Sequence, residues 1–329
     1  MARRRETATI AAMSASSATT APVADADAVA LAKEAALERR LAGLGGAMVA
    51  FSGGVDSSYL LAVAHGVLGE RVTAVTADSP SLARASLATA SAFCHQRGIR
   101  HHIVATDEFE RAEYRANDGQ RCFHCKSALF RAMDGLARAT LAERGGEAEA
   151  GGGARPLALL LGAIAEDLHD HRPGMRAAAA AGALWPLGEA GFTKPEVRAR
   201  ARARGLACWD RPAEPCLSSR VPYGEAVTPE AVRMIEGAEA ALHAHGFALC
   251  RARHHAIGRD AAGAARGWLC RIEVPEAELA KVLAARGTLL PALRALGYAS
   301  VTLDLAGFAS GGFNALLAGG ERTASASAP

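Results

Sequence analysis

Residues 52–58 read Ser-Gly-Gly-Val-Asp-Ser-Ser and stand between an apolar run, 47–51 (AMVAF), and a helical-looking stretch, 59–64 (YLLAVA). That succession is the pattern of a strand turning sharply into a helix. Glycine lets the backbone come close to a ligand, and amide N–H groups at the positive end of the following helix can surround phosphate oxygens. Ser52, Ser57 and Ser58 add hydroxyl donors. No G-x-x-x-x-G-K-[ST] occurs in the chain, so this is not a Walker A loop. Two glycines alone would mark no more than an ordinary turn.

Outward from this turn, β-type runs at 72–77, 103–105 and 157–161 alternate with helical stretches at 57–68 and 81–97. Alternation of this kind predicts a parallel α/β sheet. A leading amphipathic helix is expected over 27–44, and GGEAEAGGGARP (145–156) reads as a flexible surface loop. The pattern changes after about residue 206. Thr228 and Pro229 open a helix as N-cap and first helical residue. Strands at 249–254 and 269–274, helices at 276–285 and 289–296 and a strand at 301–305 follow, an α-β-β-α-β order that predicts a smaller α+β domain. The chain then divides into a disordered extension (1–28), an α/β domain (29–206), a C-terminal domain (207–317) and a disordered tail (318–329). Between the domains, WDRPAEPCLSSRVPYG (209–224) is Pro-rich and irregular, a favourable place for a site.

The chain has 329 residues, 50% hydrophobic and 22% charged, with a formal net charge of +3. That charge is too small to argue for a nucleic-acid partner. No continuous apolar run reaches the length of about 18 residues that a membrane-spanning helix needs. Seven cysteines, an odd number at irregular spacing, argue for thiols in a reducing compartment such as the cytoplasm. Cys94, Cys208, Cys250 and Cys270 lie in apolar or strand-like settings and read as buried structural thiols. The pairs His101-His102 and His254-His255 do not read as chelates, because neighbours on a strand point to opposite faces; His101 and His102 read as structural, whereas His254 and His255 stay open as substrate neighbours.

Three further stretches carry chemistry. Arg121-Cys122-Phe123-His124-Cys125-Lys126 is a CxxC, which by itself admits a cluster, zinc, a redox dithiol or two core cysteines. The second is PCLSSRVPYG (215–224). The third is RARHH (251–255), followed by RIEV (271–274) and VTLDL (301–305). SGGVDSS resembles the PP-loop of the ATP pyrophosphatase superfamily. Together with ADSPSL (77–82), DHRPGMRAA (170–178) and GFTKPEVRA (191–199), the whole set resembles, in order and from about residue 30 to 317, the LarE family of ATP-dependent pyridinium-carboxylate sulfur transferases.

The resemblance implies a doubly wound parallel sheet of the PP-loop (adenine nucleotide alpha hydrolase-like) type with a smaller α+β C-terminal domain. It implies ATP held by Ser52, Gly53, Gly54, Asp56, Ser57 and Ser58, with Asp78 at the adenosine end. With Mg²⁺, a carboxylate of pyridinium-3,5-biscarboxylic acid mononucleotide would be adenylated and converted to a thiocarboxylate, in nickel-pincer nucleotide cofactor synthesis. The sulfur has two routes in the family. Either Cys216 is sacrificed and becomes dehydroalanine, or Cys122, Cys125 and Cys216 hold a [4Fe–4S] cluster whose open iron carries an extra sulfide. Ser219, Arg220 and Arg253 are the candidates for the substrate phosphate and carboxylates, and Arg220 for lowering the Cys216 pKa. Asp167, Glu273 and Asp304 are metal candidates, the last two including contacts within a homo-oligomer. At 161–167 the chain departs from the family, with Ala163 and Ile164 in place of Thr and Asn and Glu166 in place of Asp. Two other readings stay open. One is a PP-loop enzyme with another acceptor, tRNA or an amide, although no RNA-binding or glutaminase domain is evident. The other is a non-catalytic nucleotide-binding protein, favoured by the altered strand end.

Overall fold

The computed structural model describes residues 23–145, 156–169 and 173–309. The extension up to residue 22, the Gly-rich loop 146–155 and the tail, 318–329, lie outside the described residues.

Four strands form the first sheet: β1 (Ala47–Ala50), β2 (Val72–Asp78), β3 (Arg100–Ala105) and β4 (Ala158–Leu161). All pair in parallel, in the spatial order β3-β2-β1-β4. The central strand β1 is buried along its whole length, so it is apolar on both faces, as parallel strands under helices must be. One face packs against helices Val23–Ala42, Val55–Leu68, Arg84–Gln96 and Lys194–Ala203 through Leu37, Tyr59, Leu60, Cys94 and Val197. The other packs Met48, Ala50 and Val75 against Leu129, Phe130 and Met133 of helix Arg121–Gly145 and Ala178 of helix Pro173–Ala180. This is the predicted doubly wound α/β sheet. The expected elements are present, with ends shifted by a few residues. The leading helix starts at Val23, inside the stretch expected to be extension, and β3 starts at Arg100. Helix Arg121–Gly145 has no counterpart in the sequence pattern above.

The second sheet pairs β5 (Arg251–Ala256) antiparallel with β6 (Trp268–Glu273), and β6 parallel with β7 (Ser300–Leu303). Helices Pro229–Ala244 and Arg286–Ala295 cover one face over Ala252, Cys270, Ile272 and Tyr298. Thr228 caps the first of these, its side chain accepting from Ala231 N. Strand β7 stops before Asp304, whose carboxylate turns inward on its own chain and accepts from Ala306 N at 2.9 Å. No helix of the described residues is long and apolar enough to cross a membrane.

Two features fix the architecture around the 52–58 turn. Gly162, just past β4, lies against the start of helix Val55–Leu68, and a Cβ there would meet Ser57 N at 2.9 Å and Ser57 Cα at 3.0 Å. Behind the same helix, Glu34 is buried and receives Arg200 Nε (2.8 Å), Arg204 Nη2 (2.8 Å) and Tyr59 Oη (2.6 Å). Burial by itself raises the Glu34 carboxyl, but these hydrogen bonds outweigh it and hold the group down to about 2.

Both features are testable. Gly162→Ala should lower stability by about 1–3 kcal/mol, because the clash is with backbone that cannot rotate away; urea denaturation reads this directly. Glu34 has a folded pKa below its unfolded one, so its stabilisation is present above about pH 4.5 and lost as the pH falls toward 2. Glu34→Gln should therefore cost about 3 kcal/mol at neutral pH, and the gap to wild type should close across that acid window.

Candidate active site

The 52–58 turn is tied off by its own hydroxyls. Ser52 N donates to Ser57 Oγ (3.3 Å), Gly54 N to Ser52 Oγ (3.4 Å) and Ser57 Oγ to Gly54 O (3.1 Å), with the two hydroxyl oxygens 3.2 Å apart. Gly53 has φ +77°, a left-handed conformation that favours glycine. Ser52 is exposed, whereas Ser58 is fully buried with its Oγ unpartnered, so Ser58 takes no part in this network. The following helix begins at Val55, and its first amide groups have no intrahelical acceptor.

A residue the sequence reading did not single out closes this end. Lys194 Nζ reaches both oxygens of Asp56, at 2.8 and 2.6 Å, while Lys194 N donates to Glu166 Oε1 at 3.0 Å. Burial pushes the Asp56 carboxyl up; Lys194 works against that, and the neighbouring Asp167 adds to it. Asp167 accepts from Ile164 N at 3.1 Å. Ala163 and Ile164, the apolar replacements, are both buried, and Ile164 belongs to the main core. Asp78 pairs with Arg84 at 2.5 Å, and Arg84 N donates to Glu236 of the second domain.

The second centre assembles the CxxC with the 216–220 turn. Cys122 and Cys125 sit one turn apart at the start of helix Arg121–Gly145, on neighbouring positions of one face. Cys216 caps the 3₁₀ turn Leu217–Arg220. Cys125 packs on the cluster formed by Tyr114, Leu217, Val221, Val227, Val232 and Ile235, which brings the two cysteine-bearing segments together. Burial pushes the Cys125 thiol up to about 12; Cys216, Glu108 and Cys122 add to this and Lys126 opposes it. Cys122 and Cys216 are exposed and Cys125 half-buried, and all seven cysteines are free. Cys94, Cys250 and Cys270 are buried thiols, each pushed up to about 12 by burial.

The turn is held by a buried polar set. Leu217 N donates to Ser81 O (2.8 Å), and the hydroxyls of Ser81, Tyr114 and Ser218 meet, Tyr114 lying 2.6 Å from Ser81 and 2.9 Å from Ser218. Arg121 Nη1 donates to Ser218 O (2.9 Å) and Asn117 Oδ1 (2.5 Å). Asn117, at φ +55°, donates Nδ2 to Pro222 O (2.7 Å) and Glu225 O (2.9 Å). Neither Asn117 nor Arg121 was singled out in the sequence; the signal available was only their place next to the CxxC.

The basic residues sort into two kinds. Arg220 is buried, donates to both oxygens of Glu239 (2.8 and 2.9 Å) and grips Pro215 O, Cys216 O and Ser219 Oγ, so its observed work is to brace the turn. Arg253 pairs with Glu273 (2.8 Å) and donates to Ser219 O (3.0 Å). Arg251 is also buried, and among the described residues no carboxylate is hydrogen-bonded to it, although Glu239 lies near enough to favour its charge. Arg251 donates to Cys250 O (2.8 Å) and Ala213 O (3.1 Å) and lies 5.1 Å from the Phe308 ring centre. Burial, then the nearby cations Arg220 and Arg253, depress its basicity. Glu273 and Asp304 both pair with Arg271, so a guanidinium stands where the metal expectation would put a cation. Among the described residues no three His, Cys, Asp or Glu side chains are grouped to hold a single metal ion. His101 bonds Thr76 Oγ1 (2.8 Å), and His254 is buried against Trp268 and Tyr298, as structural residues.

Comparison with known proteins follows this geometry. The family model described as queuosine biosynthesis protein QueC matches residues 46–117, the PP-loop half of the first domain. An uncharacterized protein of Synechocystis sp. is 36% identical over 280 residues, covering 82% of this chain and 92% of that protein. The pyridinium-3,5-bisthiocarboxylic acid mononucleotide synthase of Lactiplantibacillus plantarum is 33% identical over 283 residues, covering 86% of this chain and 94% of the synthase. At that identity over nearly the full length of both chains, the chain belongs to the family of that synthase, the LarE-like branch of the PP-loop proteins.

Proposed function

We propose that the protein is an ATP-dependent sulfur transferase that turns a carboxylate of a pyridinium mononucleotide into a thiocarboxylate. The observation that carries this reading is the packing of Cys125, in the CxxC helix, against the Leu217 turn that follows Cys216, which brings free thiols from two distant parts of the chain into one region. At the nucleotide end, the amides of residues 52–57 cradle the β- and γ-phosphates of ATP. Lys194, drawn from Asp56, adds charge to the leaving pyrophosphate. Mg²⁺ would be held by the phosphates with Asp56 and Asp167, two neighbouring carboxylates. A carboxylate oxygen of the substrate attacks the α-phosphorus, its bond to pyrophosphate breaks, and an acyl adenylate results. Sulfur then displaces AMP.

The substrate phosphate docks at Arg251, a buried cation with no carboxylate hydrogen-bonded to it among the described residues, with Ser219 and Arg253 beside it. Arg220 is a positioning residue that fixes the backbone of Cys216. Were a [4Fe–4S] cluster bound, Cys122, Cys125 and Cys216 would hold it, although among the described residues these thiols do not form a group that could hold a metal ion. Bound there, such a cluster would supply a replaceable sulfide. The exposure of Cys216 supports a second route, in which Cys216 itself gives up its sulfur and becomes dehydroalanine.

Iron and acid-labile sulfide measured on protein purified without oxygen separate these routes. Wild type should carry a four-iron signal that Cys216→Ala loses. Iron-free protein after reconstitution, with Cys216 converted to dehydroalanine after one turnover, would establish the sacrificial route. Failure of substrate-dependent ATP–pyrophosphate exchange would sink both. For the phosphate site, Arg251→Met should raise the KM for the mononucleotide about tenfold or more without loss of stability. Arg220→Met, which leaves Glu239 buried and unpaired, should instead destabilise by about 3–5 kcal/mol.

A further inference from the structure

Residues 211–216 run up to Cys216 with no helix or strand of their own, and 212–216 are exposed. Pro212 and Pro215 have no N–H to give. What holds this strap is its carbonyls. Arg198 donates Nη1 to Trp209 O (2.9 Å) and Nη2 to Arg211 O (2.7 Å), Arg251 Nη2 to Ala213 O (3.1 Å), and Arg220 Nη1 to Pro215 O (2.6 Å). Every second carbonyl is taken by a guanidinium, the two-residue period of an extended chain. Trp209 is already packed on the main core, so the direction in which the strap leaves that core is set at Arg211. Of these three guanidinium groups, that of Arg198 belongs to the helix that ends at the 52–58 turn. Four residues before it, Lys194 holds both oxygens of Asp56, so the two side chains occupy neighbouring positions on one face of helix Lys194–Ala203.

We propose that Arg198 is a positioning residue for sulfur transfer: it holds the strap that ends in Cys216 at a fixed place relative to the nucleotide turn, through the one helix that also carries Lys194. The inference rests on the sulfur-transferase reading above. It holds for either sulfur route, since Cys216 takes part in both. The planar fork of arginine suits the task, because its two N–H groups meet two carbonyls of the strap and fix its direction as well as its position. A lysine ammonium on a flexible stem would fix a single point. Adenylation needs the turn, Lys194 and the substrate carboxylate, and among the described residues the hydrogen bonds of Arg198 go to the strap, not to the turn. Loss of the fork therefore separates the two half-reactions, leaving adenylation and misplacing the sulfur.

The test uses the full-length protein, prepared without oxygen, as wild type, Arg198→Met and Arg198→Lys, with MgATP, pyridinium-3,5-biscarboxylic acid mononucleotide and sulfide. Two rates are read: ATP–pyrophosphate exchange that depends on the mononucleotide, and thiocarboxylate formed in a single turnover, followed by mass spectrometry. Arg198→Met should keep the exchange rate and the KM for ATP. It should form thiocarboxylate about a hundredfold more slowly, the cost of misplacing a reacting group by about 1 Å, with Arg198→Lys between. Amide hydrogen exchange should quicken across 209–217 in the Met variant and stay as in wild type across 52–58. Equal losses in the two rates overturn the inference, as does a Met variant that transfers sulfur like wild type or whose hydrogen exchange across 209–217 is unaltered. Should Arg198→Met not fold, Arg198→Lys carries the same comparison: slower transfer at the wild-type exchange rate supports the proposal, and equal losses or none overturn it. Wild type without mononucleotide-dependent pyrophosphate exchange removes the sulfur-transferase reading and the inference with it, an outcome distinct from active wild type whose Met variant shows no split.

Discussion

Ser218 is held from three sides, and the rest of the site depends on it. Its hydroxyl meets Ser81 and Tyr114, its carbonyl takes Arg121, and the residue is fully inaccessible to solvent. Ser81 follows β2, Tyr114 and Arg121 flank the start of the CxxC helix, and Ser218 lies in the Pro-rich segment between the domains. Each of these polar groups is buried, so leaving one unmatched costs about 1–3 kcal/mol. A segment with no regular structure of its own is thereby fixed against the first domain, and Cys216 with it. The same bonds set the Cys216 turn against the start of the CxxC helix.

The arginines divide by whether a carboxylate answers them. Arg200 and Arg204 on Glu34, Arg220 on Glu239 and Arg253 on Glu273 are buried or half-buried braces, and each would leave a carboxylate exposed to low dielectric if removed. Arg121 and Arg251 are buried with backbone carbonyls and an amide, not a carboxylate, as their hydrogen-bond acceptors among the described residues. At the 52–58 turn a single ion pair sets the charge, Asp56 holding Lys194.

Much of the fold was legible because its signals are local. Strands β1, β2 and β4 are apolar runs, the turn at 52–58 follows from glycines and hydroxyls in sequence, and Thr228-Pro229 marks its helix by capping chemistry. Helix Arg121–Gly145 escaped because its apolar face is diluted by arginines and alanines and the CxxC drew attention to the motif rather than to the period. For the candidate site, motifs name Ser52, Asp56 and the three cysteines. Lys194, Arg121 and Arg251 lie inside the same quoted stretches and Asn117 outside them, and none is singled out there, since a charged or amide side chain in a sequence with many of them carries no mark of burial. Glu273 and Asp304 drew a metal expectation for the converse reason: the sequence shows two acids and cannot show that Arg271 lies between them.

By itself the sequence determined the α/β sheet, the glycine-and-serine turn and the family, because periodicity, turn chemistry and motif order are properties of neighbouring residues. Only the tertiary structure decided which side chains meet. Cys125 packs against the Leu217 turn beside Cys216, Arg220 becomes a brace on Glu239, and Arg121 and Arg251 are buried on uncharged acceptors. The physical reason is that electrostatic worth depends on burial and on the nearest opposite charge, and both are set by packing between segments far apart in the chain.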